Sequence, residues 1–221
     1  MSPHTAAAPP RRNRRSRLLL AVGGALATVG LALTGVGVFA GLSAVASNTT
    51  AETVASGTLK LTLAAATGSA GFTSSISNLA PGDVVNRYID VTNGGTLDGQ
   101  ALTLAASDSV GSKLSTDATN GLHVTVSQCS TTWTVASGSC SGTTTVAQSN
   151  VALSALGTPV SVVGGSVTAG TVLHLQVSVT LPNQTETTTN GVLPGGTIQG
   201  LSANLTWTFT EAQRTATTTN S

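Results

Sequence analysis

Charge is scarce in this 221-residue chain, where Asp, Glu, Lys and Arg together make up 8%, against about 25% in an ordinary globular protein. Aromatic residues are 3%, and there are two cysteines, three histidines and one methionine. So little charge rules out a coiled coil or an acidic disordered tail. Five of the nine basic residues, Arg11, Arg12, Arg14, Arg15 and Arg17, fall in the first 17 positions, while all eight acidic residues lie from Glu52 onward. The formal net charge of +1 therefore hides an asymmetry. The 175 residues after Ala46 hold four basic and eight acidic side chains, a net −4. A weakly acidic body has no basic stripe with which to bind nucleic acid.

Catalytic motifs are missing as well. A zinc-protease H-E-x-x-H needs two imidazoles one helical turn apart with a Glu between them. Here His123 is followed by Val124 and His174 by Leu175, while His4 precedes the leader described below. G-x-S-x-G and the G-x-x-x-x-G-K-[ST] phosphate loop are absent. Asp83, Asp90, Asp98, Asp108 and Asp117 do not follow the spacing of a calcium loop. They read as solvated loop carboxylates, with Asp83 capping its own turn. No catalytic residue, metal site or cofactor is expected.

What is present begins with an export leader. Basic residues 11–17 precede Leu18–Ala46, 29 residues without a charge. Arginine before an apolar run orients it with its start toward the cytoplasm. Two small-residue cleavage patterns follow, Val38-Phe39-Ala40 and Ala44-Val45-Ala46. Cleavage after Ala40 or Ala46 would release the body. An uncleaved leader is long enough to hold it at a membrane, so both readings stand.

The body alternates with period two. Leu59, Leu61 and Leu63 form one set, followed by Leu102 and Leu104, then Leu122, Val124 and Val126. The longest runs from Leu173 to Leu181, and Leu205, Trp207 and Phe209 close the chain. Such sets line one face of a strand. The 38 threonines suit the half-buried pleat. His123 and His174 fall out of phase with their apolar neighbours and should face away from the core. Turns are marked by Pro81-Gly82-Asp83, Asn93-Gly94-Gly95, Asn120-Gly121 and Asn190-Gly191. The pattern predicts an all-β fold, a single jelly-roll-like antiparallel sandwich over 58–211, with a polar tail at 212–221.

Cys129 and Cys140 lie beyond the leader. An even count in an oxidising compartment points to a disulfide, here closing a hairpin that holds Trp133 and Ser137-Gly138. The rival reading, two free thiols on a metal, lacks a third Cys or nearby His.

Three segments resemble the TasA/CalY (camelysin) family of exported bacterial surface proteins. One is Gly35-Val36-Gly37-Val38-Phe39-Ala40 followed by Ala55-Ser56-Gly57-Thr58-Leu59-Lys60-Leu61. The second is Asn78-Leu79-Ala80-Pro81-Gly82-Asp83, running on to Asn93-Gly94-Gly95-Thr96-Leu97. The third is the closing strand Leu205–Gln213. The Cys129–Cys140 insert and the Thr-rich middle depart from the better-known members. The resemblance implies a jelly-roll sandwich, a SipW-like signal peptidase as partner with cleavage near Ala40, and a place on the cell surface or in the biofilm matrix. It also implies fibres in which the N-terminal segment 41–57 of one subunit completes the sheet of the next. Leu42, Val45 and Val54 would then fill the receiving groove. A flexible linker is the other reading of that segment. The family's metallopeptidase label would need a metal site that no motif here supplies. The expectation is a non-catalytic structural protein that assembles with itself or with other matrix proteins, touching a membrane only through an uncleaved leader. An anchored adhesion module and a metallopeptidase are the alternatives.

Overall fold

The structure, a computed structural model, describes residues 53–220. The expected leader at 1–40, the expected cleavage positions Ala40 and Ala46, and the expected assembly residues Leu42 and Val45 lie outside the described residues. Every element below lies within the compact unit Ser56–Ser221.

Ten strands form in the described residues: β1 (Leu61–Ala65), β2 (Val84–Asn93), β3 (Gly99–Asp108), β4 (His123–Cys129), β5 (Trp133–Thr134), β6 (Ser139–Cys140), β7 (Thr144–Ala152), β8 (Val160–Val167), β9 (Val172–Thr180) and β10 (Leu205–Gln213). A single helical turn, α1 (Lys113–Thr116), follows β3, and a 3-10 turn (Leu153–Gly157) joins β7 to β8. All pairings are antiparallel. The five-stranded sheet runs β1-β2-β9-β4-β7 and the three-stranded sheet β10-β3-β8, with β5-β6 a separate hairpin. The two larger sheets pack face to face as a sandwich. Among the described residues no helix is long and apolar enough to cross a membrane.

The alternating sets make the core. Ile89 and Val91 of β2, Val124 and Val126 of β4, and Leu173, Leu175, Val177 and Val179 of β9 face Leu102, Leu104 and Ala106 of β3. Leu153 and Leu156 of the 3-10 turn plug the β7–β8 end. One polar side chain shares this interior. Asn93, fully buried, donates from Nδ2 to the carbonyls of Leu97 and Val167 and accepts from the Gly95 amide. Val167 lies in the other sheet, so Asn93 ties the two layers together. Gly95 beside it has no room for a side chain: a Cβ would lie 2.3 Å from the Thr58 carbonyl oxygen and 3.0 Å from Leu59 Cα.

Two boundaries differ from the sequence expectation. The first strand begins at Leu61 rather than at Leu59, because the carbonyls of Thr58 and Lys60 bond the amides of Gly94, Thr96 and Leu97 in the turn after β2. The polar tail starts later than 212. Ala212 and Gln213 still pair with Gln100 and Gly99, past a bulge that puts Ala101 at φ 53°.

Candidate functional site

The two sheets cover each other unequally. β7 and β8 meet at one margin, where Gln148 Nε2 donates to the Ser161 carbonyl at 2.7 Å. That contact places β8 on the β7 side, so β10 lies toward β1. Three strands cannot cover five, and the deficit falls at β1. Leu61, Leu63 and Ala65 pair with Asn93, Val91 and Ile89 and therefore share their inward face. Yet Leu63 is 47% exposed, while its partner Val91 is fully buried. Among the described residues β10 pairs only with β3, and its other edge has no sheet partner there.

A loop partly covers this margin. Phe72, between β1 and β2, stacks on Trp207 of β10 at 5.1 Å between ring centres and on Phe209 at 6.5 Å. Such stacks contribute about 1 kcal/mol beyond the area they bury. Ile76 and Leu79 pack beneath, and all three loop side chains stay half-buried. Glu211 continues the inward row of Leu205, Trp207 and Phe209. Both of its carboxylate oxygens are sealed from solvent without a hydrogen-bond partner among the described residues, and burial pushes its pKa up. Val54, the one expected assembly residue among the described residues, is 88% exposed.

The disulfide Cys129–Cys140 forms as expected, with Cα atoms 5.8 Å apart. It holds the β5–β6 hairpin, which turns at Gly138 with φ 68°. Trp133 of β5 packs on Tyr88 at 5.6 Å and donates from Nε1 to the His174 carbonyl. The hairpin lies against the outer face of the five-stranded sheet. A cleft of about 440 Å³ opens between it and β2, lined by Ser69, Asn86, Arg87 and Tyr88 on one wall and Val135–Gly138 on the other.

The histidines face outward as their phase predicts. His123 uses both ring nitrogens, on Asn150 Oδ1 and the Ala118 carbonyl, each at 3.1 Å. His174 Nδ1 lies 2.6 Å from Asp90 Oδ1.

The expectation of solvated loop carboxylates needs correction. Asp98 accepts the Ala169 amide. Asp108 accepts the amides of Val110, Gly111 and Asn204 and the hydroxyl of Ser115. Burial works to raise its pKa, but these donors outweigh it and bring it down to about 2. Asp108 thus fastens the end of β3 to α1 and to the start of β10. Asp83 does cap its turn, through the Ala80 amide at 2.8 Å.

A family model described as camelysin metallo-endopeptidase matches residues 17–218. The chain belongs to that family. The match agrees with the resemblance carried by the Asn-Leu-x-Pro-Gly-Asp turn and the closing strand. No individual curated protein matches the sequence. The camelysin description implies a catalytic metal, which takes about three converging protein ligands and an open position. Among the described residues no three His, Cys, Asp or Glu side chains converge. Cys129 and Cys140 are bonded to each other, His123 is saturated by two oxygens, and His174 is held by a lone carboxylate. The described donor set does not fit a resident metal.

Proposed function

We propose that this camelysin-family chain is an exported structural protein of the cell surface or biofilm matrix, assembling head to tail. A SipW-like peptidase removes the leader near Ala40. The freed segment 41–57 of one copy then lies along the β1–β10 margin of the next. The observation that carries this reading is the inward-facing Leu63, left exposed at the margin where the β10 edge has no sheet partner among the described residues. An added strand would satisfy the backbone groups of β10 and bury apolar surface that the three-stranded sheet leaves open. Leu42, Val45 and Val54 are its apolar side chains. Repetition of a contact between two different surfaces builds filaments where its rotation does not close a ring.

Negative-stain electron microscopy of the chain beginning at Gly41, beside one beginning at Thr58, tests the proposal. Filaments from the longer chain alone are expected, and compact particles from both would overturn it. N-terminal sequencing of the native protein separates this reading from an adhesion module held by an uncleaved leader, since a chain beginning at Gly41 or Ser47 excludes the anchor.

The camelysin description favours a second reading, a metal-dependent endopeptidase. Stoichiometric zinc in the purified protein, together with chelator-sensitive cleavage of casein, would establish it.

A further inference from the structure

The outer face of the five-stranded sheet carries a row that neither the core nor the open margin uses. Asp90 of β2 pairs directly with His174 of β9, and His174 directly with Cys129 of β4. Residues directly opposite in adjacent antiparallel strands project from the same face, with Cβ atoms about 5 Å apart. Aspartate, imidazole and sulfur therefore stand side by side across three strands. Asp90 accepts from His174 Nδ1 at 2.6 Å, which leaves Nε2 as the ring nitrogen open to a second partner. Nε2 has no hydrogen-bond partner among the described residues.

The two sulfurs of the bridge differ. Cys129 is 1% exposed, while Cys140 is half-buried at the rim of the hairpin. Cys129 Sγ lies 3.5 Å from the Thr131 hydroxyl, itself 3.0 Å from the Ser141 hydroxyl. Exchange proceeds by attack of a thiolate on one sulfur and departure of the other, and it favours an accessible target and a stabilised leaving group. Here those two demands fall on opposite ends of one bond.

We propose that Cys129–Cys140 is an exchange site for low-molecular-weight thiols, with Cys140 the sulfur attacked, Cys129 the leaving sulfur and His174 its proton donor. The thiolate of the incoming thiol bonds to Cys140 Sγ as the Cys129–Cys140 bond breaks. The electron pair departs on Cys129 Sγ, which takes the proton from the imidazolium Nε2. The products are a mixed disulfide on Cys140 and a thiol on Cys129, with no other oxidant or reductant consumed. Asp90 is a positioning residue that holds the ring through Nδ1. Trp133, bonded to the His174 carbonyl and packed on Tyr88, keeps the hairpin seated after the bridge opens.

The test uses the purified mature chain with its bridge intact, incubated with reduced glutathione at pH 7 and quenched in acid. Peptide mapping by mass spectrometry then locates the adduct. Glutathione is expected on Cys140, and His174→Gln should slow its appearance about tenfold or more, as loss of a proton donor does. Asp90→Asn should slow it less, and it serves as the second variant if His174→Gln fails to fold. The direction of the effect separates chemistry from structure. If His174 only braced the hairpin, its loss would loosen the cover over the bridge and speed exchange. An adduct on Cys129, or exchange as fast or faster in both variants, would overturn the proposal. Neither outcome depends on whether the protein forms filaments.

Discussion

The two margins of the sandwich are closed by different means. At the β7–β8 margin the chain crosses between sheets through a 3-10 turn, and the buried Leu153 and Leu156 fill the space between the layers. Among the described residues the chain does not cross between the sheets at the β1–β10 margin, and β10 has no second strand beside it there. An irregular loop lends Phe72, Ile76 and Leu79, yet Leu63 remains exposed. A covalent crossover forces the layers to meet, whereas two independent edges need a third element between them. The comparison shows that the open margin is a shortage of strands and not poor packing, since Val91 and Leu104 nearby are completely buried.

Substitutions sharpen that contrast, and the largest effect belongs to the closed margin. Leu156→Ala removes a fully buried side chain and should lower unfolding free energy by about 3 kcal/mol in urea titrations. Asn93→Ala, which strips three hydrogen bonds from the buried link between the sheets, should cost about 2 kcal/mol. At the open margin Phe72→Ala should cost about 1 kcal/mol, since the ring is only half-buried. Leu63→Ser should hardly move the unfolding midpoint and yet abolish filaments, because the methyl groups it removes face solvent in the monomer. Filaments formed normally by Leu63→Ser would break the link between the uncovered margin and assembly.

Two carboxylates give opposite pH behaviour. Asp108 is held at about 2 in the fold, against its ordinary 3.8. Its stabilisation is complete above that ordinary value and is lost as pH falls through 4 toward 2. Thermal melts of Asp108→Asn should lie below the parent at pH 6 and converge with it near pH 2. Glu211 lies above its ordinary 4.5 because it is buried without a partner. It therefore favours the fold below that value and opposes it once ionised. Glu211→Gln should raise the melting temperature by about 2 °C at neutral pH, the smallest of these effects, and leave it unchanged in acid. A lower melting temperature at neutral pH would mean that Glu211 has a partner in solution.

Much of the fold was legible in the sequence because a strand's period is short and local. The Leu173–Leu181 alternation became β9, and the phase of His123 and His174 placed both on the outer face. The two cysteines with Ser137-Gly138 between them described the hairpin in advance. The candidate site was less legible. Phe72 sits in a stretch of Gly, Ser and Thr with no alternation, and only the fold shows that it reaches Trp207. Asp108 resembled any loop aspartate, because its donors come from both Ser115 and Asn204. Asn93 read as a turn residue, and its bond to Val167 spans 74 positions.

Strand content, the inward and outward faces, the family and the cysteine hairpin all follow from the amino-acid order, because each rests on neighbours within a few residues or on a motif read directly. The folded arrangement sets which margin is left uncovered and which carboxylates are tied down. It also decided that Asp90, His174 and Cys129 share one row. Those outcomes depend on strand order and register. Both are settled by how all the faces bury together, which no local stretch of chain encodes.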